Sequence, residues 1–219
     1  MKSILTKKEI SEVIDILLET FPDAKAELDH ENPFELLIAT ILSAQCTDVR
    51  VNKITAEMFK ELKTPEDYVE LSQDELGQII RTCGMYNTKS KNILKTCEIL
   101  IDKYDSQVPD TMEELLELPG VGRKTANVVL SNAFDVPSIA VDTHVFRVSN
   151  RIGMANAKNV LETEKQLMKN IEKERWSKAH HLLIFHGRRI CKARSPMCDT
   201  CPVNDHCLYL KKTRDKTIK

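Results

Sequence analysis

The sequence of 219 residues has no long apolar run, few aromatic side chains and almost no net charge. Because no stretch is apolar enough to cross a bilayer and Met1 is not followed by a basic and then apolar leader, we expect a cytoplasmic protein without a membrane partner. Aromatic residues make up 5% of the chain, which disfavours a protein that stacks successive bases of a single strand. Linkers rich in Gly, Pro or Ser and internal repeats are also missing, so the length suits one large domain or two small ones.

Cysteine content and charge narrow the class further. Seven cysteines are present, and an odd number without a secretory leader argues against a disulfide framework. The net charge of −1 argues at first against a nucleic-acid partner, but the charge is uneven. Residues 1–35 hold four Lys and nine Asp or Glu, whereas residues 186–219 hold nine Lys or Arg and three Asp. The C-terminal segment is therefore either a positive footprint for a polyanion or a solvated face.

Capping motifs and apolar spacing predict helices along the whole chain. Thr6 and Glu9 form a capping box ahead of apolar residues at helical intervals. Similar signals mark further helix starts at Asn32-Pro33, Thr64-Pro65, Ser72 and Thr111. Periodicity predicts helices over residues 89–104 and 156–171 as well. Since no stretch alternates with period two, the sequence predicts an all-α fold.

A short glycine-containing connection, Leu118 to Gly122, separates predicted helices over residues 112–117 and 123–134. Its backbone N–H groups and the positive end of the second helix can hold a phosphate oxygen, because Gly120 and Gly122 leave the turn bare. We therefore expect Gly120, Val121 and Gly122 to grip a duplex without reading its sequence. The alternative is an ordinary helix–helix turn.

A lysine and an aspartate stand at two predicted helix starts. Lys124 lies in the first turn of its helix, where the dipole and Arg123 disfavour an ammonium and favour a nucleophilic amine. Asp142, in Val141-Asp142-Thr143-His144, is a predicted N-cap that also suits a developing positive charge. The two residues predict Schiff-base chemistry on a sugar held by its phosphates. The alternatives are a phosphate contact for Lys124 and a cap alone for Asp142.

Four cysteines near the C-terminus follow the spacing Cys191-x6-Cys198-x2-Cys201-x5-Cys207. Four thiolates within seventeen positions can ligate one metal centre. Structural zinc sites commonly pair two short C-x2-C knuckles and only one such pair is present, so the wider gaps suit a cube-shaped iron–sulfur cluster at least as well. Zinc stays open as the alternative. Three further cysteines are expected to be buried thiols: Cys46, Cys83 and Cys97.

The LPGVGRKTA hairpin, the VDTHVFR segment and the cysteine run together resemble the endonuclease III family of bacterial DNA glycosylases, over Ile10 to Cys207. The resemblance implies an all-α helix-hairpin-helix glycosylase fold with a six-helix barrel at residues 26–136. A second helical domain, residues 1–25 with 137–219, would carry a [4Fe-4S] cluster on Cys191, Cys198, Cys201 and Cys207. The active site would lie in the cleft between the domains, and the protein would be a monomer associated with the nucleoid.

This family removes oxidised pyrimidines from double-stranded DNA and cleaves the strand at the abasic site. The resemblance implies that Lys124 attacks the sugar C1′ of an extruded nucleotide, that Asp142 assists, and that β-elimination breaks the chain on the 3′ side.

The same resemblance assigns residues to DNA contact. Gln45 would fill the space left by the flipped base, and Ser43 and Asp48 would border the lesion pocket. Met85 stands where relatives often carry a leucine wedge, and a methionine can still intercalate. His144 would support a phosphate. Without the family match, Gln45 would be an ordinary surface residue and Met85 a core residue.

Three alternatives remain. Adenine-mismatch glycosylases share the hairpin and cluster, but they typically lack lysine at the position of Lys124 and carry a further domain for which there is no room after Cys207. A monofunctional thymine-mismatch glycosylase would also not be expected to keep this lysine. A non-catalytic DNA-binding module with an iron–sulfur sensor would form no covalent intermediate with DNA.

Overall fold

The computed structural model describes residues 4–217, with side chains up to Thr213. Within that range the chain forms twelve α-helices: α1 (Lys7–Thr20), α2 (Pro33–Leu42), α3 (Asp48–Glu61), α4 (Pro65–Val69), α5 (Gln73–Ile79), α6 (Tyr86–Tyr104), α7 (Met112–Leu115), α8 (Arg123–Ala133), α9 (Thr143–Ile152), α10 (Val160–Asn170), α11 (Trp176–Arg189) and α12 (Leu208–Thr217). Two short 3-10 helices span Arg81–Cys83 and Lys173–Arg175. No strand occurs in residues 4–217, so the all-α prediction is confirmed. The basic residues Arg214, Lys216 and Lys219 of the C-terminal segment lie outside the described side chains.

The predicted capping motifs start their helices. The Thr6 hydroxyl accepts from the Glu9 N–H while the Glu9 carboxylate accepts from the Thr6 N–H, and Ser72 forms the same capping box ahead of α5. Asn32 accepts from the Glu35 N–H at 2.9 Å at the start of α2. Each cap satisfies N–H groups that the first helical turn leaves without an intrahelical partner, which is why such short motifs fix helix starts.

Some helix ends differ from the predicted ranges. The helix predicted over residues 156–171 begins later, at Val160, because Asn159 caps it by accepting from the Glu162 N–H at 2.9 Å. The first hairpin helix ends at Leu115 rather than at 117, since the N–H groups of Glu117 and Leu118 bond to carbonyls only three residues back. The helix predicted over residues 89–104 begins earlier, at Tyr86.

The chain divides into two compact units. In the unit Ala26–Val136, helix α2 is buried along its whole length, from Phe34 to Leu42. A helix that is apolar on every side belongs inside a core, and α3, α6 and α8 pack against it. The expected six-helix barrel in this region stays a prediction.

The second unit comprises the described residues of Met1–Lys25 and Pro137–Lys219. Its core contains Val13 of α1, Val148 of α9 and Leu182 of α11, each fully buried. Helix α9 contacts α10, α11 and α12, so it is the central element of this unit. No helix in residues 4–217 is long and apolar enough to span a membrane.

Candidate active site and metal centre

The glycine turn before α8 is supported by helix α6. Gly120 has a φ of +81°, a conformation that favours glycine, and a Cβ at this position would come within 3.1 Å of the Asn92 side chain. Thr96 donates its hydroxyl to the carbonyl oxygen of Pro119 at 3.0 Å. Both the backbone conformation and the contact with α6 therefore require glycine at position 120.

Helix α8 begins at Arg123, and its N-cap residue Gly122 has no side chain to cap it. The first N–H groups of a helix have no partner inside it, and the positive end of the helix dipole lies at the same place. Gly122 is exposed and Val121, just before it, is buried. The turn is therefore compatible with a bound anion.

Lys124 lies in the first turn of α8 with its side chain exposed. An exposed amine at this position is free to reach a ligand held at the turn. Because the amine is solvated here, any desolvation that favours a nucleophilic amine has to come from the bound substrate.

Asp142 caps α9, as the sequence predicts. Its Oδ1 accepts from the Val145 N–H at 2.7 Å, and the side chain is half-buried. A carboxylate at this position interacts favourably with the positive end of the helix dipole, and the cap leaves its second oxygen unused by the helix. Asp142 belongs to the unit that contains α9, whereas Lys124 belongs to the unit Ala26–Val136.

His144 follows in the first turn of α9 and is half-buried. The Arg147 guanidinium donates to its Nδ1 at 3.2 Å. Since a guanidinium only donates, Nδ1 accepts and the ring proton is assigned to Nε2. His144 can thus donate from Nε2 to an acceptor.

Gln45, assigned to DNA contact, and the two residues assigned to the lesion pocket lie in or next to the connection between α2 and α3, here named the Gln45 loop (residues 43–47). Gln45 is exposed and has a φ of +54°. Ser43 is half-buried and donates its hydroxyl to the Thr40 carbonyl oxygen at 2.8 Å. Asp48 is the half-buried first residue of α3. The structure therefore brings these three residues together at one end of α2.

Met85 stands in a second connection, here named the Met85 turn (residues 83–85), which precedes α6. It has a φ of +46°, and the preceding Gly84 has a φ of +66°. The Met85 side chain is 48% exposed, so a role as a core residue is wrong. The backbone carries this apolar side chain outward from the body of the unit, a placement that suits contact with a ligand.

Lys89 connects the two segments and was not singled out by the sequence. Its Nζ donates to the Leu42 carbonyl oxygen at 2.8 Å and to the Cys83 carbonyl oxygen at 2.7 Å, and the residue is 3% exposed. Burial lowers the pKa of this ammonium below its usual value. The one sign in the sequence that Lys89 is buried was its spacing, since it precedes Ile93 by four residues and so lies on the buried side of α6.

The four C-terminal cysteines line one cavity. It opens to solvent and is lined by the side chains of Cys191, Cys198, Cys201 and Cys207. None of the four forms a disulfide, and all four are half-buried. Among the described residues no three ligating side chains lie close enough to hold a single metal ion. A [4Fe-4S] cluster instead takes its four cysteine ligands on separate irons, so this donor set fits the cluster.

Protonation of the thiols opposes metal binding. Burial raises the pKa of the Cys201 thiol to about 11 and also raises the pKa of Cys207. Iron is bound by thiolates, so loading of the cluster has to release protons. Of the other cysteines, Cys83 and Cys97 are buried as predicted, and Cys46 is half-buried.

Two arginines of α9 hold the segment around Cys191. Arg147 donates from Nε to the Cys191 carbonyl oxygen at 3.1 Å. Arg151 donates to the carbonyl oxygens of Lys192 and Ala193 at 2.7 and 3.0 Å, and its Nη1 lies 3.7 Å from the Cys191 Sγ. The first cluster ligand is thereby tied to the helix that Asp142 starts. Sequence spacing could not predict these contacts, which join residues about forty positions apart.

Two family models match the chain. Residues 38–173 match the HhH-GPD superfamily of base excision DNA repair proteins. Residues 191–207 match the iron-sulfur binding domain of endonuclease III. The first match includes the turn at Gly120 and the start of α9, and the second contains the four cysteines of the cavity.

Endonuclease III proteins are similar to this chain over nearly its whole length, in agreement with both matches. The chain is 51% identical to endonuclease III of Bacillus subtilis over 214 residues, which is 97% of each chain. It is 47% identical to endonuclease III of Escherichia coli over 95% of this chain and 99% of that protein. The structure of a trapped endonuclease III–DNA covalent intermediate has a TM-score of 0.92, 55% identity, and 96% and 100% coverage of the two chains. A thermostable thymine-DNA glycosylase shares the fold, with a TM-score of 0.85 at 24% identity over 94% and 98% of the two chains.

The hairpin, the helical fold and the cysteine cavity define a base excision DNA repair protein. The chain belongs to the HhH-GPD superfamily and, within it, to the endonuclease III family of DNA glycosylases and AP lyases. The iron–sulfur match over residues 191–207 decides the metal, so the [4Fe-4S] prediction is confirmed and zinc is wrong. The identity to endonuclease III also argues against the three alternative interpretations, namely an adenine-mismatch enzyme, a thymine-mismatch enzyme and a non-catalytic module.

Proposed function

We propose that the protein removes oxidised pyrimidines from double-stranded DNA and cleaves the strand through a Schiff base on Lys124. The observation that carries the proposal is the position of this lysine. It is exposed, it lies in the first turn of α8, and it follows a turn whose N–H groups suit a phosphate. An endonuclease III that is 55% identical to this chain has a solved structure as a trapped covalent intermediate with DNA. That structure supports the same chemistry here.

Extrusion of the damaged base comes first, because a base inside the stack is out of reach of an amine. We assign Gln45 to the space that the base leaves and Met85 to the adjacent base step as a wedge. Both side chains are exposed, as such roles require. Ser43 and Asp48, at the same end of α2, are assigned to the border of the lesion pocket.

Bond breaking follows at the sugar. The Lys124 amine attacks C1′, the bond from C1′ to the base breaks, and the base leaves with a proton. The sugar ring then opens to give the imine, loss of a C2′ proton expels the 3′ phosphate by β-elimination, and the strand breaks. We assign Asp142 to stabilising positive charge at the sugar and to accepting a proton from Lys124, since its second carboxylate oxygen is not used by the cap of α9.

The remaining residues are assigned to contacts with the phosphate backbone of the DNA. Gly120, Val121 and Gly122 would hold one phosphate, and His144 would donate to another through Nε2–H. When bound, the [4Fe-4S] cluster would supply iron–thiolate bonds that fix residues 191–207, and we assign Lys192 and Arg194, both exposed in that segment, to phosphate contact. We further propose that the protein acts as a monomer, in the cytoplasm and associated with the nucleoid.

The test is borohydride trapping on a duplex with one abasic site. We expect a covalent protein–DNA adduct with the wild type and none with Lys124→Ala. The matched control is Lys95→Met, because this exposed lysine on α6 pairs with Glu98 at 2.7 Å and has no assigned role. It should trap as the wild type does.

Substrate class is tested by excision from duplexes that differ only in the lesion. We expect release of thymine glycol and little release of 8-oxoguanine. Absence of any adduct from wild-type protein that is folded, carries its cluster and binds the duplex would contradict the role of Lys124. Equal release of both lesions would contradict the assignment to oxidised pyrimidines.

A further inference from the structure

One buried ammonium is shared by the Gln45 loop and the Met85 turn. The Lys89 Nζ is 2.8 Å from the carbonyl oxygen of Leu42, the last residue of α2, and 2.7 Å from that of Cys83. The Leu42 carbonyl immediately precedes the Gln45 loop, and the Cys83 carbonyl belongs to the first residue of the Met85 turn. Burial and the neighbouring Cys46 thiol raise the pKa of the Cys83 thiol, so side chains of the same two segments also lie close together.

Both segments hold an unfavourable backbone conformation beside this contact. Gln45 and Met85 have φ values of +54° and +46°, which cost free energy in residues other than glycine. Such conformations persist where the surroundings fix them. Lys89 fixes the backbone three residues before Gln45 and two residues before Met85.

The burial of Lys89 shows that its contacts are specific. A lysine almost never lies fully inside a protein unless its charge is satisfied, and this one is 3% exposed. Its Nζ has three donors, and two of them go to carbonyls of these two segments. An apolar residue at position 89 would fill the same space but would release both carbonyls, so packing alone does not account for a lysine here.

We propose that Lys89 is a positioning residue for base extrusion, which holds the Gln45 loop and the Met85 turn at a fixed separation so that both side chains enter the duplex together. This inference rests on the roles proposed above for Gln45 and Met85. Lys89 touches neither the sugar nor the base. It acts through the two segments by setting where their backbones lie.

The decisive experiment is a double-mutant cycle on single-turnover excision of thymine glycol from a duplex. Four proteins are compared: wild type, Lys89→Met, Gln45→Ala/Met85→Ala, and the combination of all three substitutions. We expect Lys89→Met to slow excision about 10- to 100-fold in the wild-type background, as misplacement by about an ångström does. In the Gln45→Ala/Met85→Ala background it should slow excision less than about twofold.

A lysine that merely supported the fold would behave differently. It would reduce the active fraction by the same factor in both backgrounds, and that result would overturn the proposal. An unchanged rate for Lys89→Met in the wild-type background would overturn it as well. Lys95→Met, on the exposed part of the same helix, should leave every rate unchanged.

Amide hydrogen exchange supplies a readout that does not depend on activity. In Lys89→Met, residues 43–47 and 84–86 should exchange faster, while the turn at Gly120 should keep its wild-type protection. If Lys89→Met does not fold, Lys89→Gln takes its place, since an amide retains donors for one of the carbonyls. Failure of the wild type itself to excise thymine glycol would refute the proposed function, and the effect of Lys89→Met on exchange would still decide whether the lysine fixes the two segments.

Discussion

Helices α6 and α9 each hold functional segments of their own unit in place. The contacts that they use for this differ. Helix α6 does this from inside, through the buried Lys89 and through Thr96, which anchors the glycine turn. Helix α9 does it through Arg147 and Arg151, which reach the backbone of the cluster segment.

The difference follows from how much apolar surface each of the two segments can bury. The Gln45 loop continues directly from α2, which is buried along its whole length. In the cluster segment, residues 191–207, Val203 is the one fully buried residue among those described. A segment with so little apolar material has to be ordered by polar contacts and metal bonds, whereas a loop at the end of a core helix is ordered largely by the core.

Loss of a cluster ligand should therefore have the largest effect, and only in one unit. We expect Cys201→Ser to lose the cluster and to lower the free energy of unfolding of the α9 unit by more than about 4 kcal/mol. Iron content and amide exchange would show this, with protection lost in residues 191–207 and retained in α6. The control is Cys46→Ser, which should keep its iron. Equal loss of protection in α6 would contradict the contrast between the units.

The core of the other unit should respond to a cavity. Leu37 of α2 is fully buried, so Leu37→Ala should cost about 2–5 kcal/mol, measured as faster exchange of α2 and α6 amides. Iron content should stay at the wild-type level. Leu116→Ala is the control, because Leu116 is 44% exposed and its removal leaves little cavity. A similar cost for both substitutions would show that α2 is not the support assumed here.

Removal of one arginine should test how much of the cluster segment depends on α9. Arg151 makes two backbone hydrogen bonds with a charged donor, so Arg151→Met should cost about 2–3 kcal/mol, less than loss of the cluster. The measurement is the midpoint of thermal cluster loss, followed by the visible absorbance of the protein. Arg194→Met removes an exposed arginine from the same segment and should shift the midpoint little. No shift for Arg151→Met would mean that the metal bonds order the segment alone.

The same contrast explains what the sequence predicted. Caps at Thr6, Asn32 and Asp142 were predictable because each is a contact within three residues, between a side chain and the N–H groups of its own helix. The cluster ligands and Lys124 were found by short motifs for the same reason. Contacts between residues that are close in the sequence can be predicted from short motifs.

The supports of the site were not predicted, because they join distant parts of the chain. Lys89 bonds to Leu42 across forty-seven positions, and Arg151 bonds to Lys192 across forty-one. A lysine or arginine in a helical pattern is ordinarily assigned to the solvated face, and only tertiary packing shows that Lys89 is buried. Its register with Ile93 on the buried side of α6 was the one local sign.

The smallest stability effect is expected at Asp142, where it separates structure from chemistry. Asp142→Ala removes the cap of α9 and should cost about 1 kcal/mol, whereas Asp142→Asn keeps a side-chain oxygen for the Val145 N–H and should cost only a few tenths. Both variants lose the negative charge, so both should slow strand cleavage strongly if Asp142 acts at the sugar. Thermal unfolding and single-turnover cleavage, measured on the same preparations, test the two parts together. If Asp142→Asn cleaved at the wild-type rate, the carboxylate would be a cap and nothing more, and the chemistry would rest on Lys124 without it.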